Sequence, residues 1–220
     1  MLEIKAFTFG PFETNCYVVS FSNSSLSEAA HSIIIIDPAC SNKWEQKALL
    51  DYIENLKSKI INPKLSLVAT HGHLDHLWGA KWATDLWHTP VLMHEADIPL
   101  AQAMQQQYDL FGIRQKPEPF AIENLKSPYG ASRSEEISNL NFEIINTPGH
   151  TPGSICLYFP EEKVLFSGDT LFRMGYGRTD LPGGNMSQLI TSLDHLFTLP
   201  SDTRVFPGHG DFTTISAEKR

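Results

Sequence analysis

The stretch His71-Gly72-His73-Leu74-Asp75-His76 places three imidazoles and one carboxylate within six residues. It directly follows Leu65-Ser66-Leu67-Val68-Ala69, an apolar run with the composition of a buried strand. Imidazole and carboxylate groups are the donors that bind Zn²⁺, Fe²⁺ or Mn²⁺ in proteins. Four such donors at this spacing rarely arise by chance in a solvated polar turn. The stretch therefore predicts a metal site at the end of a strand.

Three further donors lie far along the chain, and each follows a short apolar run beside glycine. They are His150 in Asn146-Thr147-Pro148-Gly149-His150, Asp169 in Val164-Leu165-Phe166-Ser167-Gly168-Asp169, and His209 in Val205-Phe206-Pro207-Gly208-His209. Glycine lets the backbone approach a ligand closely. Taken singly, each of the three donors could belong to an ordinary turn. Taken with the first stretch they make seven donors, five His and two Asp, which suits two adjacent metal ions.

The chain resembles the metallo-β-lactamase superfamily over nearly its whole length. That resemblance runs from Thr14-Asn15-Cys16-Tyr17-Val18-Val19 and Ile36-Asp37-Pro38 to Pro207-Gly208-His209-Gly210. Within the superfamily the chain is most similar to the glyoxalase II group, the hydroxyacylglutathione hydrolases. The closer similarity is carried by TPGHTPGS at 147–154, SGDTLF at 167–172 and GRTDLPGG at 177–184.

The resemblance implies two divalent metal ions, with Zn²⁺ expected first and Fe or Mn as alternatives. One ion would be bound by His71, His73 and His150, the second by Asp75, His76 and His209, and Asp169 would bridge them. In such a pair one ion lowers the pKa of a water towards neutrality, and the other polarises the substrate carbonyl. Asp75 and Asp169 would therefore be catalytic as well as ligands. Asp37 would fix an imidazole or Asp75, although it could equally be a polar strand end before Pro38.

The substrate contacts implied by the resemblance are Arg178 and Tyr176. Arg178 falls where the glyoxalase II group has a basic residue that contacts glutathione, so it would pair with a substrate carboxylate. The alternative is that Arg178 pins the glycine-rich loop through Asp180. The chain stops soon after Thr213-Thr214-Ile215, without the helical C-terminal extension of the longer enzymes. A broader range of thioesters, esters or lactones therefore stays open.

Three classes of function fit these motifs. The first is a dinuclear hydrolase of small-molecule glutathione thioesters such as S-lactoylglutathione. The second is a mononuclear-iron glutathione persulfide dioxygenase, which shares the ligand motif, although Pro182-Gly183-Gly184 favours the hydrolase. The third, a metal-binding module without catalysis, fits least well, because a structural Zn²⁺ site is closed by four ligands and needs no shared carboxylate.

The order of apolar runs predicts an α/β fold. Strands are predicted near residues 4–9, 15–21, 32–37, 64–70, 91–94, 142–146, 154–159, 163–167 and 203–207. Residues 43–58 have the apolar period of a helix, with Trp44 and Ile53 on its core face, and Asn185 is the predicted N-cap of a helix that runs towards Leu199. With the αβ/βα arrangement that the resemblance implies, we expect a four-layer sandwich of two mixed β-sheets flanked by helices.

Composition narrows the function further. The 220 residues suit one domain without a separate C-terminal substrate-binding domain, and the net charge of −8 gives no basic stripe for nucleic acid. No apolar segment has the length of a membrane span, and Met1-Leu2-Glu3-Ile4-Lys5 does not begin a signal peptide, so a cytoplasmic location is expected. Three scattered cysteines argue against a disulfide framework. The oligomeric state stays open.

The segment 97–133 has two interpretations. It contains a Gln-rich helical stretch, 100–108, followed by three prolines. It could form a lid over the site. The favoured alternative is a surface helix that packs Leu100, Met104 and Phe111 onto the core.

Overall fold

Two β-sheets form the centre of the protein in the computed structural model, which describes residues 2–21, 32–60, 63–125 and 142–219. The first sheet contains β1 (Leu2–Phe9), β2 (Thr14–Phe21), β3 (Ser32–Ile36), β4 (Lys64–Val68), β5 (Val91–Met93) and β6 (Ile122–Asn124), in that order. Strands β1 to β3 pair antiparallel, whereas β3 to β6 pair parallel. The first sheet is therefore mixed, as predicted.

The second sheet is also mixed. It contains β7 (Glu143–Asn146), β8 (Ile155–Phe159) and β9 (Val164–Gly168), and, after a separate hairpin of β10 (Leu171–Phe172) and β11 (Gly175–Tyr176), β12 (Arg204–Pro207) and β13 (Thr213–Thr214). The strand order is β13-β12-β9-β8-β7, and only the pairing of β12 with β9 is parallel within this described sheet. All nine strands expected from the sequence are present, and the short β6, β10, β11 and β13 were not predicted.

Three apolar layers hold the sheets and helices together. The helices are α1 (Lys43–Lys57), α2 (Ala80–Trp87), α3 (Ile98–Gln102), α4 (Met104–Leu110), α5 (Met186–Leu196) and α6 (Ile215–Glu218). In β3 the side chains of Ile33 and Ile35 pack towards α1 and α2, while those of Ile34 and Ile36 pack against the second sheet. A third layer lies between the second sheet and α5 and α6. This helix–sheet–sheet–helix stack confirms the expected four-layer sandwich.

Two of the predicted helices form with small differences. Asn42 caps α1, whose core face carries Leu49, Ile53 and Leu56, but Trp44 is 83% exposed and does not belong to that face as predicted. A residue in the first helical turn needs no core contact when the N-cap already holds the backbone there. Asn185 caps α5 through a hydrogen bond from Gln188 N, as expected, although α5 ends at Leu196 before the predicted end near Leu199.

The segment 97–133 is described only up to residue 125. It forms two short helices, α3 and α4, in place of one. Met104 packs into the first apolar layer as predicted, but Phe111 is 41% exposed and Leu100 borders a cleft. The surface-helix interpretation is therefore correct for Met104 and wrong for Phe111.

Two expectations from composition concern cysteines and membrane spans. Cys16, Cys40 and Cys156 are all free and buried, in agreement with the absence of a disulfide framework. None of the helices in the described ranges combines the length and hydropathy required to cross a membrane.

The two sheets bring the candidate donors to one edge of the molecule. Strands β4, β9 and β12 end at Val68, Gly168 and Pro207, each within three residues of a donor. Because β9 and β12 run parallel, Asp169 and His209 emerge on the same side. The start of β2 closes the junction, since Thr14 forms a β-bridge with His209. The site therefore lies where the loops of both sheets meet.

Candidate metal centre

The seven donors converge into three overlapping groups, in each of which the ligand atoms lie within 4.8 Å of one another. The first group is His71, His73 and His150, the second group is Asp75, His76 and His209, and His71, His76 and Asp169 make the third. Asp169 lies between the first two groups. Its Oδ2 atom is 3.5 Å from His150 Nε2 and 3.6 Å from His209 Nε2, and its Oδ1 atom is 3.3 Å from His76 Nε2. The structure thus brings together every donor that the sequence singled out.

Asp37 fixes two of these imidazoles from behind. Its carboxylate accepts hydrogen bonds from Thr70 N at 2.7 Å, Thr70 Oγ1 at 2.8 Å and His76 Nδ1 at 2.9 Å. Since the Thr70 hydroxyl proton is given to Asp37, Thr70 Oγ1 is left to accept from His71 Nδ1, 3.1 Å away. Both rings then carry their proton on Nδ1 and direct the Nε2 lone pair inward. This confirms the expectation that Asp37 holds an imidazole.

Three more of the donors are oriented by hydrogen bonds in the same way. His150 Nδ1 donates to the Arg178 carbonyl at 2.7 Å, and His209 Nδ1 donates to the Phe12 carbonyl at 3.0 Å. Asp75 Oδ2 accepts from Thr14 Oγ1 at 2.8 Å. Each of these two imidazoles therefore directs Nε2 into the cluster, where His150 Nε2 lies 2.8 Å from His73 Nδ1 and His209 Nε2 lies 3.2 Å from Asp75 Oδ2. Nε2 is the atom through which either ring could bind a metal ion.

The interior of the cluster fits bound cations. Among the described residues, buried atoms of His71 (Nε2), His76 (Nε2) and Asp169 (Oδ1) have no hydrogen-bond partner. Such atoms are costly to bury unless a ligand satisfies them, and all three face the centre of the cluster. Gly208 adds space, because a Cβ there would clash with Asp169 Oδ1 and would lie 2.7 Å from His76 Cε1. The donor set of imidazoles and carboxylates suits Zn²⁺, Fe²⁺ or Mn²⁺.

The charges of the cluster also favour a cation. Burial and the neighbouring imidazoles, His76 and His150 foremost, lower the pKa of His71 well below its usual value, and burial with His150 lowers that of His73 to about 3. Burial opposes a charge on Asp169, but His76 outweighs it, so the pKa of that carboxyl is lowered. Burial would likewise depress the pKa of His76, yet Asp75, Asp169 and Asp37 raise it well above normal. His71 and His73 therefore stay neutral, and the raised pKa of His76 means that the three carboxylates favour positive charge in this centre.

Comparison with known proteins gives the family. The family model of the metallo-beta-lactamase superfamily matches residues 10–209. The chain belongs to this superfamily. It is 34% identical to the hydroxyacylglutathione hydrolase GloC of Haemophilus influenzae, over the whole of this chain and 96% of that protein. It is thus a metallo-hydrolase of the superfamily.

Two solved structures share the fold of this metallo-hydrolase over nearly their full lengths. The BLEG-1 B3 metallo-beta-lactamase superposes with a TM-score of 0.79 and 30% identity, covering 98% of this chain and 96% of that one. TTHA1623 in a di-iron-bound form superposes with a TM-score of 0.77 and 31% identity, covering 98% and 97%. These similarities confirm the metallo-β-lactamase fold expected from the sequence.

Asp97 supports the metallo-hydrolase centre and was missed by the sequence analysis. It is fully buried, and its carboxylate accepts from Gly72 N at 2.8 Å, Thr151 Oγ1 at 2.7 Å and Gly153 N at 2.6 Å. Gly72 lies between His71 and His73, whereas Thr151 and Gly153 follow His150 within three residues. Asp97 therefore ties together the two loops that carry the first group. A single Asp outside any motif gives no signal for such a role.

Gln107 braces the same loop from α4. Its Oε1 accepts from Leu74 N at 2.9 Å, and its Nε2 donates to the carbonyls of Gly72 and Leu100 at 3.0 and 2.9 Å. The Gln-rich stretch that suggested a lid thus contains a buried side chain that is hydrogen-bonded to the ligand loop. These hydrogen bonds attach α4 to the loop that carries the candidate ligands.

The two predicted substrate contacts lie beside the centre on exposed positions. The Arg178 guanidinium donates to both carboxylate oxygens of Asp180 at 2.6 Å, which is the loop-pinning alternative, while its backbone carbonyl orients His150. Tyr176 ends the β10–β11 hairpin with an exposed ring. Binding of substrate by either residue stays a prediction.

Proposed function

We propose that the chain is a dinuclear metallohydrolase that cleaves glutathione thioesters such as S-lactoylglutathione. The observation that carries the proposal is the convergence of seven donors with Asp169 between the first and second groups. A carboxylate shared in this way suits two adjacent cations and has no purpose in a closed four-ligand structural site. The name of the Haemophilus influenzae relative supports a glutathione thioester as substrate.

The seven candidate ligands would form two metal sites. The first group would hold one Zn²⁺ or comparable ion, the second group the other, with Asp169 shared between them. When bound, such ions supply a nucleophilic water at neutral pH and polarise the reacting carbonyl.

Asp75 is best placed to orient the attacking water. Thr14 Oγ1 donates to Asp75 Oδ2, and His209 Nε2 lies 3.2 Å from the same oxygen, so the carboxylate is held from two sides. Burial resists a charge on Asp75, but His76 and His209 outweigh it and lower the pKa of the carboxyl. Asp75 therefore stays anionic at neutral pH and can accept a hydrogen bond from the water. Since a thiolate is a good leaving group, the chain needs no strong general acid.

A mononuclear-iron oxygenase that acts on glutathione persulfide is the second candidate. The group of His71, His76 and Asp169 has two imidazoles and one carboxylate, which is the ligand set of non-haem iron oxygenases. The solved di-iron form of TTHA1623 supports iron as an alternative metal. In this case Asp75 and His209 of the second group would contribute little to activity.

One experiment separates the two candidates. The purified chain would be loaded with Zn²⁺ or, under anaerobic conditions, Fe²⁺, and assayed for hydrolysis of S-lactoylglutathione and for oxygen uptake with glutathione persulfide. We expect hydrolysis in both forms, without oxygen uptake. If the iron form takes up oxygen and His209→Ala retains this activity, the oxygenase would be the correct function and the hydrolase would be wrong.

A further inference from the structure

An apolar cleft opens beside the metal centre. This apolar cleft is lined by Leu100, Ala103, Leu110, Phe111, Leu181 and Pro182. It encloses about 80 Å³. His73 of the first group lies at its inner end. The cleft thus begins at a candidate metal ligand and leads outward between the α4 segment and the glycine-rich loop.

Aromatic side chains continue the cleft towards the second group. The Phe12 ring packs edge-on against Phe111 with 5.3 Å between centroids and lies 5.9 Å from the Trp78 ring. The Phe12 carbonyl accepts the hydrogen bond from His209 Nδ1. The apolar surface therefore borders both groups of candidate ligands.

No carboxylate, ammonium or guanidinium group lines the apolar cleft among the described residues. Apart from His73, its polar residues are Gln106 and Gln107. The side-chain amide of Gln107 is already hydrogen-bonded to the backbone of Gly72, Leu74 and Leu100. Arg178 is held by Asp180. A charged substrate group that entered this cleft would lose its water without gaining a partner.

The apolar cleft is also partly open to solvent. Leu110, Phe111 and Phe12 are among the exposed large apolar residues of the described chain. Contiguous exposed apolar surface next to a polar centre is typical of a binding site for an apolar ligand, because its burial removes that surface from water.

We propose that the apolar cleft binds the acyl group of the substrate, as a short uncharged chain or a single aromatic ring attached to the reacting carbonyl. This inference rests on the proposed thioesterase function and names its preferred substrate class. The glutathione moiety carries two carboxylates and an ammonium group, so it is excluded from the cleft by its charge. The acyl group is the remaining part of the molecule beside the carbonyl.

The test compares two thioesters with the same leaving group, S-phenylacetylglutathione and S-acetylglutathione. We expect kcat/KM to be about tenfold higher for the phenylacetyl ester, since burial of an aromatic ring is worth roughly this factor when it is incomplete. Phe111→Ala should reduce that ratio about threefold. Leu86→Ala is the matched control, because Leu86 is 39% exposed and Phe111 is 41% exposed, yet Leu86 lies on α2 outside the cleft. The control should keep the ratio of the wild type.

Equal kcat/KM for the two esters in the wild type would overturn the inference, as would a ratio in Phe111→Ala that equals the wild-type value. Hydrolysis of neither ester would instead contradict the proposed function. In that case the inference is decided by calorimetric binding of two inert thioethers, S-phenethylglutathione and S-ethylglutathione. Tighter binding of the phenethyl compound to the wild type than to Phe111→Ala would support the cleft, and equal binding of both compounds would contradict it.

Discussion

The first and second groups of donors use the same side-chain chemistry in different surroundings. His71, His73 and His150 are all buried. In the second group His76 is buried, but the side chains of Asp75 and His209 are 16% and 26% exposed. The first group is therefore an interior site, and the second opens towards solvent.

The two groups are also anchored by different parts of the fold. The loops of the first group are tied together by Asp97, whose three hydrogen bonds are all buried. The second group is assembled across the junction of the two sheets, where Thr14 and Phe12 hold Asp75 and His209. An interior site supported by a buried carboxylate should exchange its ion more slowly than one built across an open junction.

The largest effect is expected for Asp169→Asn, which removes the charge shared by both groups. The variant keeps the size of the side chain but loses the anion that offsets two cations. Both ions should be retained poorly, and kcat should fall by at least about a hundredfold. Metal content and thioester hydrolysis measure this, with Asp211→Asn, a change to an exposed carboxylate that pairs with Arg173, as control. Normal turnover in Asp169→Asn would refute the shared role.

Removal of one imidazole from each group tests the difference directly. His209→Ala should leave about one ion per chain, because the buried first group is intact. His150→Ala should lose the first ion and should lower the melting temperature more than His209→Ala does. The reason is that it removes the hydrogen bond between His150 and the Arg178 carbonyl. Elemental analysis and thermal unfolding would show this. Loss of both ions from His209→Ala alone would mean that the first group does not bind independently.

Asp97→Asn should weaken metal binding by the first group although it changes none of the candidate metal ligands. The asparagine amide replaces one carboxylate oxygen, a hydrogen-bond acceptor, by an NH₂ group that faces another hydrogen-bond donor. The free energy of unfolding should therefore fall by about 1.5–3 kcal/mol, which corresponds to about 3–12 °C in melting temperature. A chelator should then remove the first ion faster than in the wild type. Thr151→Val deletes one of the three hydrogen bonds and keeps the charge, so its effect should be smaller. If the rate of metal removal by the chelator is unchanged, Asp97 stabilises the fold but does not support metal binding by the first group.

The smallest effect is expected for Arg178→Ala, because the Arg178 guanidinium is already paired with Asp180 on the surface. Exposed ion pairs contribute little, so kcat/KM should fall by less than about threefold, and Asp180→Ala should match it. A tenfold rise in KM that is confined to Arg178→Ala and to glutathione thioesters would instead support its predicted contact with a substrate carboxylate.

The features predicted from sequence are those written in local motifs. Short donor spacing identified residues 71–76, and strand composition placed Asp169 and His209 at strand ends, which is where the structure has them. Asn185 was recognisable because an N-cap needs only its own side chain and the next turn.

The contacts that sequence reasoning missed depend on long-range packing. Asp97 bonds with residues 25 to 56 positions away, and Gln107 with a loop 33 residues earlier. Phe111 has the apolar character of a core residue, but the chain places it at the mouth of the apolar cleft. Burial of an isolated residue follows from tertiary structure, which no local period encodes.

The proposed centre binds two adjacent ions through seven side chains. Titration of the metal-free protein with Zn²⁺, followed by elemental analysis after removal of free metal, measures the stoichiometry directly. We predict a plateau of about two ions per chain, with the ion of the second group released first by chelator. A plateau of one ion per chain that is unchanged by removal of both His76 and His209 would contradict a dinuclear centre.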